Sequence, residues 1–370
     1  MTLWLKNLNS NPINMRYQNV LITGGAGFAG SHLALLLKER YPQLRVTALD
    51  NLKRRGSELN LPRLKAAGIE FLHGDIRSRD DLLAVREVDL ILECSAEPSV
   101  LAGLDGAPDY LIQTNLIGTI NCLELARVRR ADFLFLSTSR VYPIETINNL
   151  AFVEAATRFE LMDAQKILGT SSRGFSEEFP LTGVRSLYGA TKLASELLID
   201  EYRVAFGLKT IINRCGVLTG PWQMGKVDQG VIVHWIASHI FEKSLKYFGY
   251  GGTGKQVRDI LHVRDLFALI DRQLDQFESL NGSLFNVGGG RRVSVSLCEL
   301  TSLCQRVTGK TIPITPVLAD RAADIRIYLT DNSKVTECTG WQPMITAEDI
   351  VADITKWIVN NRAMLEPILS

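Results

Sequence analysis

Long hydrophobic runs and an excess of one charge are both missing from this 370-residue chain. No apolar stretch approaches the roughly 18 residues that a membrane-spanning helix needs, so we expect no membrane association. The 41 Lys and Arg against 40 Asp and Glu give a net charge of +1, without the basic excess that nucleic-acid binding requires. The 46% hydrophobic and 22% charged residues are typical of a globular protein. The composition thus excludes a disordered chain and disfavours nucleic acid as a partner.

Cysteine and histidine are also too dispersed to indicate a metal or redox site. The six cysteines form no C-x-x-C pair, and the five histidines contain no H-x-x-x-H. We therefore predict no metal site and six reduced thiols in a reducing compartment. Residues 1–16 are rich in Asn and lack the apolar stretch of a signal peptide. They predict a flexible tail on a cytoplasmic protein.

Short apolar runs alternate with amphipathic segments from residue 17 onward. The apolar runs are residues 20–23, 44–49, 69–72, 90–94 and 133–137. The amphipathic segments between them are residues 32–40, 61–67, 80–86 and 119–128. Continuous apolar strands separated by helical periods indicate a parallel sheet that is covered on both faces. The pattern predicts a Rossmann-type α/β fold with a doubly wound parallel sheet.

Three glycines follow the first predicted strand and precede the first predicted helix, in the spacing G-x-x-G-x-x-G. Gly24 permits a tight turn, Gly27 lets the backbone approach a pyrophosphate, and Gly30 lets the helix pack close to the strand. The N-terminus of that helix presents unpaired N–H groups and its positive dipole end to the anion. The segment therefore predicts a dinucleotide-binding turn.

Acidic residues at the ends of the next two predicted strands indicate which dinucleotide binds. Asp50 stands 20 residues after Gly30, where a carboxylate accepts hydrogen bonds from the free ribose hydroxyl of NAD. The basic residues 53–55 follow and leave NADP as an alternative, but we favour NAD. Asp75 and Ile76 end the third strand, where they are placed to hold an adenine edge.

The change of sequence pattern after about residue 215 predicts a second, smaller unit. We expect residues 17–215 to form mainly the NAD-binding domain and residues 216–370 mainly an α/β substrate-binding domain. Strand-like pieces at residues 208–215 and 284–287 indicate that some later segments return to the first sheet. The two domains are therefore expected to be interwoven.

A tyrosine and a lysine point to proton-transfer chemistry. Tyr188 and Lys192 are four residues apart in a segment with helical periodicity, so their side chains share one face. A tyrosine titrates near pH 10, but an adjacent ammonium and a positive nicotinamide ring favour the phenolate, which is a useful base. The predicted strand at residues 133–137 leads into hydroxyl residues at 137–139, which are suited to hydrogen-bond a reacting hydroxyl.

Taken together, these residues resemble the extended short-chain dehydrogenase/reductase family, the NAD-dependent sugar-nucleotide epimerases and dehydratases. The similarity extends from residue 19 to about residue 360. It implies that Thr138, Tyr188 and Lys192 are catalytic, with Tyr188 as the base and Lys192 orienting the nicotinamide ribose. It also implies that the cofactor is bound by Gly24, Gly27, Phe28, Ala29, Gly30, Asp50, Asn51, Asp75, Ile76, Ser95, Ala96, Asn115, Ser137, Tyr188, Lys192 and Cys215.

The same resemblance implies a nucleotide-sugar substrate. It assigns substrate binding to Ser139, Arg140, Gln229, Gln256, Arg258, Arg321 and Asp324. Arg258 is expected to meet the diphosphate. Residues 143–185 form a long link that could fold over the sugar. Relatives often pair helices, so a homodimer or homotetramer is expected.

Two residues narrow the expected reaction. The dehydratases of the family carry an Asp-Glu pair after the catalytic Thr and the decarboxylases carry Glu, whereas this chain has Ser139 and Arg140. Residues 157–159, 228–230 and 254–259 resemble members that invert C2 of a CDP-activated hexose. We therefore expect an isomerase, an NAD-dependent 2-epimerase that oxidises the sugar transiently to a ketone and returns the hydride.

Two other functions are compatible with the same residues. One is a 4-epimerase of a UDP-sugar, and the other is a non-catalytic NAD-binding redox sensor. The chain also departs from the family pattern at Pro143, at Val217 and at residues 93–96, which read Glu-Cys-Ser-Ala where His-Leu-Ala-Ala is usual. These positions border the expected sugar and nicotinamide sites, so they bear on the identity of the substrate.

Overall fold

A computed structural model describes residues 15–104, 106–225 and 229–369. Most of the tail predicted for residues 1–16 lies outside the described residues, as does Asp228. The described end of that tail is bound to the fold, because the Arg16 guanidinium forms ion pairs with Asp132 and Glu278. Residue 17 is already part of the core, since the Tyr17 side chain is buried.

The described residues contain 17 strands and 13 α-helices. The strands are β1 (Asn19–Thr23), β2 (Arg45–Asp50), β3 (Glu70–His73), β4 (Leu90–Glu93), β5 (Asp132–Thr138), β6 (Phe152–Glu154), β7 (Phe159–Leu161), β8 (Thr170–Ser171), β9 (Gly174–Phe175), β10 (Thr210–Cys215), β11 (Val217–Thr219), β12 (Leu245–Phe248), β13 (Val257–His262), β14 (Ser283–Val287), β15 (Ser294–Ser296), β16 (Ile314–Val317) and β17 (Ile327–Tyr328). The helices are α1 (Phe28–Arg40), α2 (Leu61–Ala66), α3 (Arg79–Leu83), α4 (Asp109–Ile112), α5 (Gly118–Arg129), α6 (Ile144–Asn148), α7 (Leu187–Phe206), α8 (Val231–Ile240), α9 (Val263–Asp275), α10 (Leu297–Thr308), α11 (Ser333–Thr339), α12 (Ala347–Asn360) and α13 (Arg362–Leu369).

Seven parallel strands form the central sheet in the order β14-β10-β5-β4-β1-β2-β3, which confirms the predicted α/β fold. Each of the five predicted apolar runs falls on a strand of this sheet, with boundaries within one residue at β1, β2, β3, β4 and β5. The first predicted helix begins earlier than expected, because α1 starts at Phe28 directly after Gly27. The edge strand β14 comes from the later half of the chain.

The strands are apolar throughout because both faces of the sheet are buried. Neighbouring residues along a strand point to opposite faces, so each strand contributes to two cores. One core contains Ile22, Leu92 and Leu134, and the other contains Leu21, Ile91 and Phe133. Helices α1 and α9 cover the first face, and α3, α5 and α7 cover the second.

The later part of the chain builds a smaller unit beside this sheet. Strand β13 pairs with β11, β15 and β17, and β12 pairs with β16. Helices α8, α10 and α12 pack together in a separate hydrophobic cluster. The hairpins β6–β7 and β8–β9 belong to the link between β5 and α7, where Tyr142, Phe175 and Tyr328 form an aromatic cluster.

The strand order places a crevice at the carboxyl end of the sheet. Strand β1 lies between β2 and β4, so the connections from these strands diverge to opposite sides, and ligands bind at such a point in α/β sheets. Nothing in the described helices is both long and apolar enough for a membrane crossing.

Candidate active site

A continuous cleft of about 1160 Å³ runs along the carboxyl ends of the central strands. The glycine turn after β1 lines one end, and Thr138 and Tyr188 line the middle. Gln256 and Arg258 of the smaller unit line the other end. The two units of the fold therefore share one binding site.

The turn between β1 and α1 has the shape that a dinucleotide requires. Gly24 adopts a positive φ of 62°, and a Cβ on Gly30 would lie 2.2 Å from the Gly24 carbonyl oxygen. Only glycine allows this close approach of the helix to the turn. No side chain in the described part of the chain caps α1, so the N–H groups of its first turn can receive an anion.

Asp50 is fixed where a ribose hydroxyl would be recognised. Its Oδ2 accepts the N–H of Ala26 at 3.1 Å and its Oδ1 accepts the N–H of Leu52 at 2.7 Å. These bonds leave further lone pairs of the carboxylate facing the cleft, where it would repel a 2′-phosphate. The site fits NAD better than NADP.

The three basic residues after β2 already contact other parts of the protein. The Lys53 Nζ lies 3.7 Å from the centre of the Tyr110 ring. Arg54 donates to the Met224 carbonyl at 2.7 Å, and Arg55 donates to the Pro367 carbonyl at 2.8 Å. These contacts tie the cofactor end of the cleft to the segment before α8 and to α13, which is a structural use for the three cations.

Asp75 ends the wall of the cleft beyond Asp50. It accepts hydrogen bonds from the Asn51 Nδ2 at 2.8 Å and from two nitrogens of Arg77 at 3.0 and 2.7 Å. Burial opposes ionisation of Asp75, but the bonds from Arg77 and Asn51 outweigh it and lower the pKa to about 2. The carboxylate is therefore negative near neutral pH, with the buried Ile76 beside it.

The middle of the cleft is built by a close contact between α7 and the turn after β5. Ser186 caps α7, because its Oγ accepts the Gly189 N–H at 3.2 Å. Thr138 caps the turn after β5, because its Oγ1 accepts the Arg140 N–H at 3.2 Å. Tyr188 and Thr138 both line this part of the cleft, and the Thr138 hydroxyl lies close enough to lower the pKa of the Tyr188 phenol.

Tyr188 is held as a phenol when only the protein surrounds it. Burial raises its pKa to about 12, although the Thr138 hydroxyl and the Arg140 guanidinium oppose this rise. A cation brought close to the ring by a ligand would favour the phenolate. The geometry therefore suits a base that becomes active when the site is filled.

Lys192 has a different partner from the one that its spacing predicts. The sequence places its ammonium beside the Tyr188 phenol, but the Nζ lies 3.8 Å from the Glu93 Oε2 and 3.9 Å from the centre of the Phe135 ring. Burial lowers the pKa of Lys192, and the Glu93 charge opposes that fall. Burial raises the pKa of Glu93, and Lys192 opposes that rise.

The far end of the cleft carries an excess of positive charge. Arg258 donates to the Asp324 Oδ1 at 2.8 Å, and Arg140 donates to the Ala323 carbonyl at 3.1 Å. The Arg321 guanidinium lies 3.8 Å from the centre of the Phe248 ring. Burial and then Arg258 lower the pKa of Arg140 to about 10, which still leaves it charged at neutral pH. Three guanidinium groups near one carboxylate suit an anionic ligand.

The cleft brings most of the predicted site residues together. Those that line it are Gly24, Gly27, Phe28, Ala29, Asp50, Asn51, Asp75, Ile76, Ser95, Ala96, Ser137, Thr138, Ser139, Arg140, Tyr188, Lys192, Cys215, Gln229, Gln256, Arg258, Arg321 and Asp324. The predicted roles of the individual residues in binding and catalysis stay predictions.

Two residues predicted to bind the cofactor do not line the cleft. Gly30 lies under the turn, where it allows the contact with Gly24. Asn115 is buried, and its side chain exchanges two hydrogen bonds with the Glu97 backbone at 2.7 and 3.0 Å. Both residues therefore shape the site from behind its surface.

The sequence suggested that the link between β5 and α7 folds over the sugar. In the structure this link does not line the cleft. None of residues 143–185 is among the described residues that line the cleft. Phe175 instead donates its N–H to the Leu329 carbonyl at 2.8 Å, and its ring stacks on Tyr328 at 4.8 Å. Asn148 accepts the Arg326 N–H at 2.8 Å. The link braces the segment that carries Asp324.

Sequence patterns do not single out several other residues of the cleft. Tyr110, Trp222, His234 and Ile368 line it but belong to no recognisable motif. Glu93 was visible only as a departure from the family pattern, and its contact with Lys192 could not be read from a separation of 99 positions. Each of these residues depends on packing between distant segments.

Comparison with known proteins identifies the family. The model of the NAD dependent epimerase/dehydratase family matches residues 20–288. The chain is 32% identical over 347 residues to a CDP-paratose 2-epimerase from Salmonella typhi, which covers 91% of this chain and 98% of that protein.

Solved structures show the same fold. A double mutant of a dTDP-glucose 4,6-dehydratase from Streptomyces venezuelae, solved with NAD bound, has a TM-score of 0.76 and 27% identity over 94% of this chain and 99% of that chain. A UDP-glucose 4-epimerase from Thermus thermophilus in complex with NAD has a TM-score of 0.72 and 26% identity over 92% and 99%. With a cleft that fits NAD and a match over most of its length, the chain belongs to the NAD-dependent epimerase/dehydratase family.

Proposed function

We propose that this protein is an NAD-dependent nucleotide-sugar epimerase that inverts C2 of a CDP-activated hexose. The observation that carries the proposal is Arg140, which stands directly beside the contact between Thr138 and Tyr188. The identity of 32% with a CDP-paratose 2-epimerase along almost the whole of both chains supports the nucleotide and the position.

Arg140 favours epimerisation over elimination. A dehydratase must protonate a leaving hydroxyl and remove a proton from carbon, for which the family uses a carboxylic acid and a carboxylate next to the catalytic Thr. Arg140 is a half-buried cation that neither gives nor takes a proton readily near neutral pH. An epimerase needs only reversible proton transfer at one hydroxyl, which Tyr188 and Thr138 can perform.

Arg140 also supports reaction near the phosphate end of the sugar. Its backbone N–H donates to the Thr138 Oγ1, and its guanidinium donates to the Ala323 carbonyl, next to the Arg258–Asp324 ion pair. One residue thus connects the proton-transfer pair to the cluster that suits a diphosphate. C2 is bonded to the carbon that carries the phosphate, whereas C4 lies across the ring. The short link between the two sites favours inversion at C2.

In this proposal the cofactor carries the hydride and the protein side chains carry the proton. NAD, when bound, supplies reversible hydride transfer at the carbon that is inverted. Tyr188, as the phenolate, takes the proton of the C2 hydroxyl and later gives it back. The Thr138 Oγ1 accepts the Arg140 N–H, so its own hydrogen is free to donate to the sugar oxygen or to Tyr188. Thr138, Tyr188 and Lys192 are buried, which keeps water from the ketone while the sugar turns over.

Residues of both units would hold the two ligands. In this proposal the glycine turn and Asp50 bind the pyrophosphate and the adenosine ribose of the cofactor, and Lys192 binds the nicotinamide ribose; all of these line the cleft. Arg140, Arg258 and Arg321, which line the other end of the cleft, are proposed to bind the diphosphate of the substrate.

Proton NMR of the purified protein in D2O tests the proposal. The protein is incubated with CDP-, UDP-, dTDP- and GDP-hexoses without added NADH. Inversion at C2 of a CDP-hexose with hydrogen retained at that carbon is the expected result. Inversion at C4 of a UDP-sugar would replace the proposal with a 4-epimerase, and deuterium at C5 or C6 would replace it with a dehydratase. Absence of any reaction in protein with bound NAD would favour a redox sensor.

A further inference from the structure

A buried acid–base pair lies beneath the cleft, and the mechanism above makes no use of its acid. Glu93 has 0% and Lys192 has 1% of its surface exposed. The Glu93 Oε1 accepts hydrogen bonds from the Thr23 hydroxyl at 3.4 Å and from the Ser95 N–H at 3.0 Å. The Oε2 has no hydrogen-bond donor among the described residues and lies 3.8 Å from the Lys192 Nζ. One oxygen is thus anchored while the other faces the ammonium.

Of the titratable groups around the pair, Glu93 is the one suited to balance the positive charge of Lys192. These groups are Cys94 after β4, Cys122 of α5, Cys215 of β10, and Tyr188 and Glu196 of α7. Burial raises the pKa of Cys94 and Cys122 well above the usual value and that of Cys215 to about 12, so the three thiols are neutral near pH 7. Glu196 forms an ion pair with Arg214 at 2.7 Å.

We propose that Glu93 is a positioning residue for Lys192: its carboxylate holds the side chain at the floor of the cleft as an ammonium and thereby sets the pH range in which Tyr188 acts as a base. A lysine buried without a counter-charge can lose its proton near pH 5 to 6. Such a neutral amine could not stabilise the phenolate. The inference rests on the proposed function only for the role of Tyr188 as base.

Removal of the Glu93 charge separates two electrostatic outcomes. If Lys192 stays protonated without Glu93, Tyr188 loses a repelling negative charge and its phenolate forms at lower pH. If Lys192 loses its proton, Tyr188 loses the positive charge one helical turn away on α7, and the phenolate forms at higher pH even though the Arg140 guanidinium remains. The proposal requires the second outcome, a phenolate that forms at higher pH, because it states that Glu93 keeps Lys192 protonated.

The test is the titration of Tyr188 in the NAD-bound full-length protein, with Glu93→Gln compared with the unsubstituted protein. The phenolate is followed by ultraviolet difference absorbance against the same protein carrying Tyr188→Phe. We expect Glu93→Gln to raise the titration midpoint by about one pH unit or more. An unchanged or lowered midpoint would overturn the proposal.

Three further variants separate charge from structure. Glu93→Asp keeps the charge and should shift the midpoint by less than half as much as Glu93→Gln. Thr23→Val removes the hydroxyl that anchors the Oε1, so it should give a smaller shift in the same direction. Asp271→Asn alters another buried carboxylate, which accepts the Tyr41 hydroxyl at 2.6 Å outside the cleft, and should leave the midpoint unchanged.

These variants also keep the proposal testable if Glu93→Gln does not fold. An unchanged midpoint in Thr23→Val would then overturn it, as would equal shifts in Glu93→Asp and Glu93→Gln where both fold. The titration needs no substrate, so it is independent of the nucleotide-sugar panel. A raised midpoint together with a silent panel would retain the role of Glu93 and reject only the proposed substrate.

Discussion

A Cβ on Gly189 would lie 2.0 Å from the carbonyl oxygen of Arg140. The obstructing atom belongs to the backbone, so no rotation of a side chain could relieve the contact. Helix α7 therefore touches the turn after β5 through a residue without a side chain. This contact brings Tyr188, one residue earlier, against Thr138.

Gly189→Ala is expected to lower kcat by about tenfold to a hundredfold, because it pushes the Tyr188 hydroxyl away from Thr138. Activity is measured beside a melting curve, which shows whether the protein still folds. Ala190→Ser, at an exposed position of the same helix, is the matched control and should keep full activity. Full activity in Gly189→Ala would show that the contact does not position Tyr188.

Tyr188→Phe is expected to reduce kcat by about 10² to 10⁴-fold while the affinity for NAD changes little, since only the proton acceptor is removed. Turnover is measured by NMR and cofactor binding by calorimetry. Tyr202→Phe removes a hydroxyl from the same helix, where it donates to Glu124 at 2.6 Å, and should retain turnover. Retained turnover in Tyr188→Phe would overturn the assignment of the base.

Arg140→Met is expected to raise the KM for the nucleotide sugar by about tenfold or more, because a guanidinium that lines the cleft is lost beside the cluster that suits a diphosphate. Arg140→Lys keeps the positive charge, so its KM should lie between those of the unsubstituted protein and Arg140→Met. Steady-state kinetics with the substrate found in the panel measure the effect. Equal KM values in all three proteins would place Arg140 outside substrate binding.

Asp50→Asn is expected to weaken NAD binding by about tenfold and NADP binding much less, because the carboxylate that favours the free ribose hydroxyl is lost. Calorimetric titration with both cofactors measures the two changes. Asp89→Asn is the control, since Asp89 also accepts two backbone N–H groups, at the opposite end of β1. Equal weakening of both cofactors by Asp50→Asn would contradict the assigned contact.

His32 should make the fold sensitive to mild acid. Burial and then the nearby Arg63 charge lower the pKa of His32 to about 3 from its usual 6.5. Because protonation is easier in the unfolded chain, the stability from His32 is complete above about pH 6.5 and is lost as the pH falls toward 3. At pH 5 this loss is about 2 kcal/mol.

His32→Gln is therefore expected to show a smaller fall in melting temperature between pH 7 and pH 5 than the unsubstituted protein. Thermal denaturation at several pH values measures the difference. His73→Gln removes an exposed histidine and should leave the pH dependence unchanged. If melting temperature fell with pH equally in all three proteins, His32 would not be the cause of the acid sensitivity.

The central sheet was predictable because each of its strands is marked by a pattern of neighbouring residues in the sequence. Runs such as residues 20–23 are apolar at every position, which is required of a strand with both faces buried. The glycine turn and the four-residue spacing of Tyr188 and Lys192 are local in the same sense. They predict which side chains share a face but not what that face contacts.

Features that depend on distant packing could not be predicted. The ammonium of Lys192 faces Glu93, whose strand is remote in the sequence, and Asn115 turns its amide toward the Glu97 backbone behind the cleft. The link at residues 143–185 has the length of a lid, but its aromatic residues pack against Tyr328 and its neighbours. Length and composition do not reveal which of two hydrophobic surfaces a segment will cover.

Strand β14 has a consequence for how the protein is made. It completes the edge of the first sheet beside β10, yet it is synthesised only after β11, β12, β13 and α8 of the second unit. Until then β10 presents unpaired backbone groups along an apolar strand, which is a surface prone to aggregation. The nascent chain must protect that edge while about seventy further residues emerge. A fragment that ends at residue 215 would keep the edge open permanently.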